Sequence, residues 1–172
     1  MTKPLRAEDM HPALAEALEN AGWNSRRSMD VRDVVAELVD DGFTPNSFAI
    51  GALKALLGLR IEPLNTSGPN FQNTEPLQVD PLGVGKRHRL EAVEVEKVVG
   101  ETVFPFGWWL SYSYVYMTSS GKVVAFSSGL VWLLGETPEQ GLDLAVRAQV
   151  PLTCIGAREG QRPWPSAEVP PL

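Results

Sequence analysis

Gly83-Val84-Gly85-Lys86 is the stretch of this chain that comes nearest to phosphate chemistry. A phosphate-cradling loop needs a glycine where Asp80 stands and a serine or threonine where Arg87 stands, because that hydroxyl ligates magnesium. Neither requirement is met, so the stretch reads as a surface turn. Cys154 is the single cysteine, which excludes an intramolecular disulfide and any multi-cysteine metal site and fits a reducing compartment. Nucleophilic use of it would need a neighbouring base and a lowered pKa, and the sequence signals neither. Pro151 to Ile155 reads instead as a short apolar edge that packs the thiol. His11 and His88 stand at a helix start and in a basic helix, in no spacing that makes a metal site with Cys154. The acidic pairs Asp40-Asp41 and Glu94/Glu96 read as solvated helix faces. The expectation is a protein with no catalytic residue, no cofactor and no metal.

The aromatic residues are distributed more pointedly. Nine of the fourteen lie between Val98 and Leu134, and from Thr102 to Leu134 the only formal charge is Lys122. Trp108 and Trp109 are adjacent, so in a strand they point to opposite faces. Tyr112, Tyr114 and Tyr116 alternate with Ser113, Val115 and Met117, which puts the tyrosines on one face of a strand. At least one aromatic group is therefore a candidate for the surface, where tryptophan and tyrosine act as protein-interface anchors. They are not interleaved with arginine or lysine, and the net charge is -6, so nucleic acid is a poor partner.

The elements that would position these side chains follow from the pattern around them. Lys122 to Phe126 and Leu130 to Leu134 continue as strands, with Ser119-Ser120-Gly121 and Ser127-Ser128-Gly129 as turns, and a further strand enters through Phe104 and Phe106. So uncharged a sheet needs cover, which helices elsewhere must supply. After a loose end over residues 1 to 10, His11-Pro12 opens a helix ending at Gly22, with Trp23 as a core plug. Asp30 caps a second helix with Val31, Val34, Val35 and Leu38 on one stripe, ended by Gly42 with Phe43 folding back. Thr44-Pro45 starts a third, with an apolar face through Phe48, Ala52, Leu53, Leu56 and Leu57. Short strands at Leu59 to Leu64 and Leu77 to Val79 flank the loop Asn65 to Pro76. Lys86 to Val99 reads as a helix with Leu90, Val93 and Val98 inward, and Thr137-Pro138-Glu139-Gln140 as the capped start of a last one.

At 172 residues the chain reads as a single domain over residues 1–150 with a proline-rich extension over 151–172, extended or disordered from Arg162. No apolar leader and no run approaching the ~20 apolar residues of a membrane span is visible, so the expectation is a cytoplasmic protein that binds no membrane. Acids outnumber bases at the start of the chain, and Glu62, Glu75 and Asp80 fall in a stretch without a base. Such a surface is able to steer a basic protein partner.

The order of several segments resembles the third subfamily of the SUKH superfamily. In the first half these are AGWNSRRSMD at 21–30, LVDDGF at 38–43, ALKALLGL at 52–59 and QVDP at 78–81. In the second they are VGETVFPFG at 99–107, SSGKVVAF at 119–126 and LLGETPEQGLDLAV at 133–146. The resemblance implies an α+β fold with a twisted antiparallel sheet, which the pattern above puts at roughly four to six strands packed with helices. It also implies a bacterial immunity protein that binds and neutralises a cognate polymorphic toxin domain, of nuclease or deaminase type. On that reading Trp108, Trp109, Tyr112 and Tyr114 are the candidate anchors, and Asp40, Asp41, Glu62 and Glu75 the steering charges. The competing readings are a non-catalytic interaction scaffold, a small-ligand binding module of the same fold and a small hydrolase using Cys154. Toxin identity and oligomeric state have no signature in the sequence.

Overall fold

Glycines end the early helices in the computed structural model, which describes residues 4–165. Helices α1 (Pro12–Asn20) and α2 (Arg32–Asp40) close at Gly22 and Gly42, whose φ values of 110° and 94° suit a residue without a Cβ. In each case the next residue donates its amide back into the last turn, Trp23 to Leu18 at 2.9 Å and Phe43 to Leu38 at 3.0 Å. Both rings are buried as a result. The His11 ring caps α1 by accepting the Ala13 amide at 3.1 Å, and the Asp30 carboxylate accepts the Arg32 amide at 3.1 Å where α2 begins. Helix α3 (Ser47–Leu56) starts later than Thr44-Pro45 suggests. Its cap is Asn46, whose Oδ1 accepts the Ala49 amide at 2.9 Å while its Nδ2 donates to the Met117 carbonyl at 3.2 Å. Residues 4–10 are not a loose end either: Leu5 and Met10 both belong to the core.

Strands β1 (Arg60–Ile61), β2 (Leu77–Gln78), β3 (Val103–Trp109), β4 (Ser113–Thr118), β5 (Val123–Ser127), β6 (Leu130–Gly135) and β7 (Thr153–Ala157) pair in chain order, each antiparallel to the next. The chain is thus α+β as expected, with a sheet slightly larger than four to six strands. The added strand is β7, formed by the apolar edge around Cys154 and held in register by Trp132↔Cys154 and Val131↔Gly156. β1 is shorter than Leu59 to Leu64, because Pro63 has no amide to offer a ladder. Ser128 and Gly129, with φ of 51° and 79°, form the two-residue turn whose twist matches a β-hairpin. Residues 166–172, the end of the expected proline-rich tail, lie outside the described residues.

Between β2 and β3 the chain makes two helices where the pattern suggested a turn and one helix. Asp80 caps α4 (Pro81–Gly85) by accepting the Gly83 amide at 2.9 Å, and Arg87 at φ 66° separates it from α5 (Arg89–Val99). The segment is not a surface turn: Val84 is buried, and a Cβ on Gly85 would collide with Leu38 and Pro105. In α5 the stripe turned inward is Ala92, Val95 and the partly buried Val99, which leaves Leu90 81% exposed and Val98 outside the core. Two apolar stripes compete on that helix, and the one that holds Ala92, Val95 and Val99 faces the core.

On the other side of β5 and β6 lies α6 (Pro138–Arg147), capped reciprocally as expected. Thr137 Oγ1 accepts the Gln140 amide at 3.2 Å, and Gln140 Oε1 accepts the Glu136 amide at 3.1 Å. The loop from Asn65 to Pro76 is fastened to this helix by side-chain amides. Asn73 is fully buried, donates to the carbonyls of Ala145 at 2.8 Å and Asn65 at 3.2 Å, and accepts the Trp109 indole N–H at 3.0 Å. Replacing Asn73 with alanine leaves three buried polar groups unmatched, so a loss of about 2–4 kcal/mol is expected in chemical denaturation. A change below ~0.5 kcal/mol would show that the amide is not structural.

The turn between β4 and β5 is held by Glu101. Its carboxylate accepts the Ser120 amide and hydroxyl, both at 2.8 Å, and the Ser119 hydroxyl at 2.9 Å. Burial works against its charge, but the hydrogen bonds from Ser120, Ser119 and Thr118 outweigh it and hold the carboxyl below its ordinary range. Its contribution to stability is therefore complete above the unfolded carboxyl pKa and is lost as pH falls through the lower folded value. Denaturation midpoints measured down the acid range should fall less steeply in Glu101→Gln than in the parent chain; parallel curves would refute this.

Candidate interaction surface

Trp109 and Ser113 are register partners and share one face of the sheet; Trp108 and Tyr114 share the other. The first face is interior. Trp109 is fully buried, edge-on to Phe71 with ring centroids 5.7 Å apart, and its only polar group is spent on Asn73. It is a core residue, and its burial turns Trp108 toward the surface. The Trp108 ring stands nearly perpendicular to Tyr114 at 5.0 Å, and Tyr114 in turn lies 6.4 Å from Phe126 across β5. Both Trp108 and Tyr114 are half-buried.

Helix α5 completes this cluster from above. The His88 ring lies 5.1 Å from Tyr114, and His88 Nδ1 is 3.4 Å from both the Tyr114 hydroxyl and Glu91 Oε1. Burial and the nearby Glu91 carboxylate raise the Tyr114 pKa, so the hydroxyl stays protonated and available as a donor. Tyr116 occupies the same face one step further in, is fully buried, and is raised in the same direction mainly by burial. The three tyrosines therefore do not act alike. Tyr112 leaves the strand and stands 58% exposed at the β3–β4 turn, Tyr114 bridges surface and core, and Tyr116 is core.

That turn has an unusual backbone. Leu110 and Ser111 take φ of 56° and 59°, a left-handed conformation that costs a branched residue free energy and needs support from its surroundings. The buried Leu110 side chain supplies some, and Ser111 Oγ supplies more by donating to Glu75 Oε2 at 3.2 Å. Pro76, Gln78, Trp108 and Ser111 line a small cleft of about 180 Å³ beside it.

Of the eight residues singled out in the sequence, the structure gathers Trp108, Tyr112, Tyr114 and Glu75 at the end of the β3–β4 hairpin. Asp41 reaches its margin by accepting the amide of Arg87, the residue before His88, at 3.2 Å. Asp40 is exposed at the last position of α2. Glu62, just past the outermost strand, is paired with Arg60 at 2.8 Å and lines a different cleft, with Ala17 and Asn20 of α1. Sequence reading missed His88 and Glu91 because their stripe on α5 was assigned to solvent. It missed the Leu110-Ser111 turn because neither residue advertises positive φ.

A half-buried tryptophan and tyrosine beside an exposed tyrosine, with carboxylates nearby, form a surface suited to gripping another protein. Among the described residues no group of three His, Cys, Asp or Glu is placed to hold a metal, and no helix is long and apolar enough to cross a membrane. The architecture is that of an α+β domain with an antiparallel meander and an aromatic hairpin end. The SUKH-3 immunity protein family matches over residues 10–147, and the chain belongs to that family. No curated protein and no solved structure matches it.

The separation of roles within the adjacent pairs has a direct test. Trp109→Ala should cost about 3–5 kcal/mol of stability, as large core truncations do. Tyr112→Ala should leave the melting curve within about 0.5 kcal/mol of the parent. Comparable losses in the two variants would mean that the hairpin end is packed rather than presented.

Proposed function

We propose that this chain is a bacterial immunity protein that binds a cognate toxin domain and neutralises it by occupying the toxin's working surface. The observation that carries the reading is membership of the SUKH-3 immunity protein family across residues 10–147. The aromatic hairpin end supports the reading as its contact surface, with Trp108, Tyr112 and Tyr114 proposed as the anchors and Glu75 and Asp41 as nearby steering charge. A net charge of -6 favours a basic partner, and nucleases and deaminases that handle phosphate backbones present basic surfaces. Neutralisation of this kind requires a rigid complementary surface and no reacting group. Asp40 and Glu62 fit as longer-range contributors to the field rather than as contacts. The setting proposed for the complex is the cytoplasm of the producing cell.

The test begins with recovery of the tagged chain from its own source and identification of whatever protein accompanies it in stoichiometric amount. A toxin domain whose activity disappears on adding the pure chain supports the reading. With that partner in hand, the triple variant Trp108→Ala, Tyr112→Ala, Tyr114→Ala should weaken binding by about 100-fold or more at unchanged fold, given the usual weight of central aromatic anchors. A partner whose activity survives saturation by the chain would overturn the function. Full affinity in the triple variant would overturn the site alone.

A further inference from the structure

A concavity lies toward the other end of the sheet from the aromatic hairpin. It has a volume of about 740 Å³ and runs between residues 9–11, the end of β6 and the outer side of α6. Its floor is apolar, built from Met10, Leu134 and Leu144, and Val150 stands beside them 51% exposed. Its walls carry four carboxylates, those of Asp9, Glu136, Glu139 and Asp143, against one arginine, Arg147. Two of the four are already engaged. Asp143 pairs with Arg147 at 3.2 Å, and Glu136 lies 4.0 Å from Lys122.

Glu139 is the informative one. It is only 9% exposed, yet it makes no hydrogen bond or ion pair with any described residue. Its carboxylate lines the groove, and the start of α6, where Glu139 is the second helical residue, favours a negative charge there. Asp9, across the groove, also lacks a described partner. The groove thus presents two carboxylates without a described partner beside an apolar floor, a complement to a positive charge.

We propose that this groove is a second docking surface, which receives an arginine or lysine carried on an apolar segment of a protein partner. The cation sits between Glu139 and Asp9, and its aliphatic stem and flanking side chains lie on Met10, Leu134 and Leu144. Two surfaces on different sides of the molecule let the chain hold a partner that wraps around it, or two partners at once. The assignment stands on the groove's own chemistry and does not depend on the aromatic surface.

The test uses the full chain and a blocked pentapeptide, Leu-Ala-Arg-Ala-Leu, followed by amide chemical shifts. Saturable shifts confined to residues 9–11, 133–137 and 139–151 are expected. Glu139→Gln should weaken the peptide by about tenfold or more, the size of a lost charge-assisted contact. Glu159→Gln, which removes an equal charge from an exposed position outside the groove, should change it less than about twofold. Glutamine in place of the peptide's arginine should mimic the Glu139→Gln loss, and a melting curve for Glu139→Gln confirms that the variant is folded. Shifts scattered over the acidic surface, or equal losses in the two variants, would overturn the proposal. Binding that appears only in Lys3→Ala would assign the groove to the chain's own lysine and overturn it as well.

Discussion

The buried amide of Asn73 ties together parts of the chain that local sequence leaves independent. It joins the loop before β2, the last turn of α6 and the indole of Trp109, from a fully buried position. The same loop repeats the device twice more. Asn65 donates to the Arg147 carbonyl at 2.6 Å, and Asn70 both donates to and accepts from the Leu152 backbone, at 3.1 and 2.8 Å. Asparagine suits this work because its side chain offers the same donor and acceptor as a peptide group. A segment too polar to pack by burial is thereby given a fixed place, and it carries the start of β7 with it.

Fixing Trp109 inward has consequences along β3. Neighbours in a strand alternate, so Trp108 is committed to the outer face, and its register partner Tyr114 meets it there. Gly107 then matters for a different reason. A Cβ at that position would run into the Gln78 carbonyl, so only glycine lets β2 approach closely enough to pair with β3. α4 and α5 close over the same strand and bring His88 onto Tyr114. The aromatic surface is therefore a by-product of core decisions, held by the interior rather than by its own contacts.

Much of this was legible in the sequence where a local rule and the tertiary outcome agree. The endings at Gly22 and Gly42, the Thr137 cap and the Ser128-Gly129 hairpin each follow from chemistry within a few residues, and each stands. What was not legible depends on distant partners. Asn46 caps α3 in place of Thr44 because it is also bonded to β4, and α4 stands where a surface turn was expected because Gly85 nests between Leu38 and Pro105. The tyrosine period was read correctly in Tyr114 and Tyr116, but Tyr112 falls beyond the strand because the turn starts at Leu110, a residue with no turn signature. In the candidate site the types of anchor could be seen in advance. Which member of the Trp108-Trp109 pair faces out could not, since that depends on a buried asparagine more than thirty positions away.

The molecule's charges obey a different logic from its core. Several acids are matched at the surface, as in Glu37 with Lys86, Glu94 with Arg158 and Asp30 with Arg32. Exposed pairs of this kind add little to folding, so the fold places few demands on them. The interior shows the opposite economy: Asn73, Trp109, Gly85 and Gly107 each have one geometry that works. A partner-binding domain gains from this division, because the outer acids and the hairpin tip at Tyr112 are free to change while the scaffold that aims them stays put. Glu139 is the exception that fits neither group, since most of the residue is packed away while its carboxylate lines a groove without a described partner. The start of α6 favours a negative charge in that position, and with no cation of the described fold beside it the charge stays free to meet something positive arriving from outside.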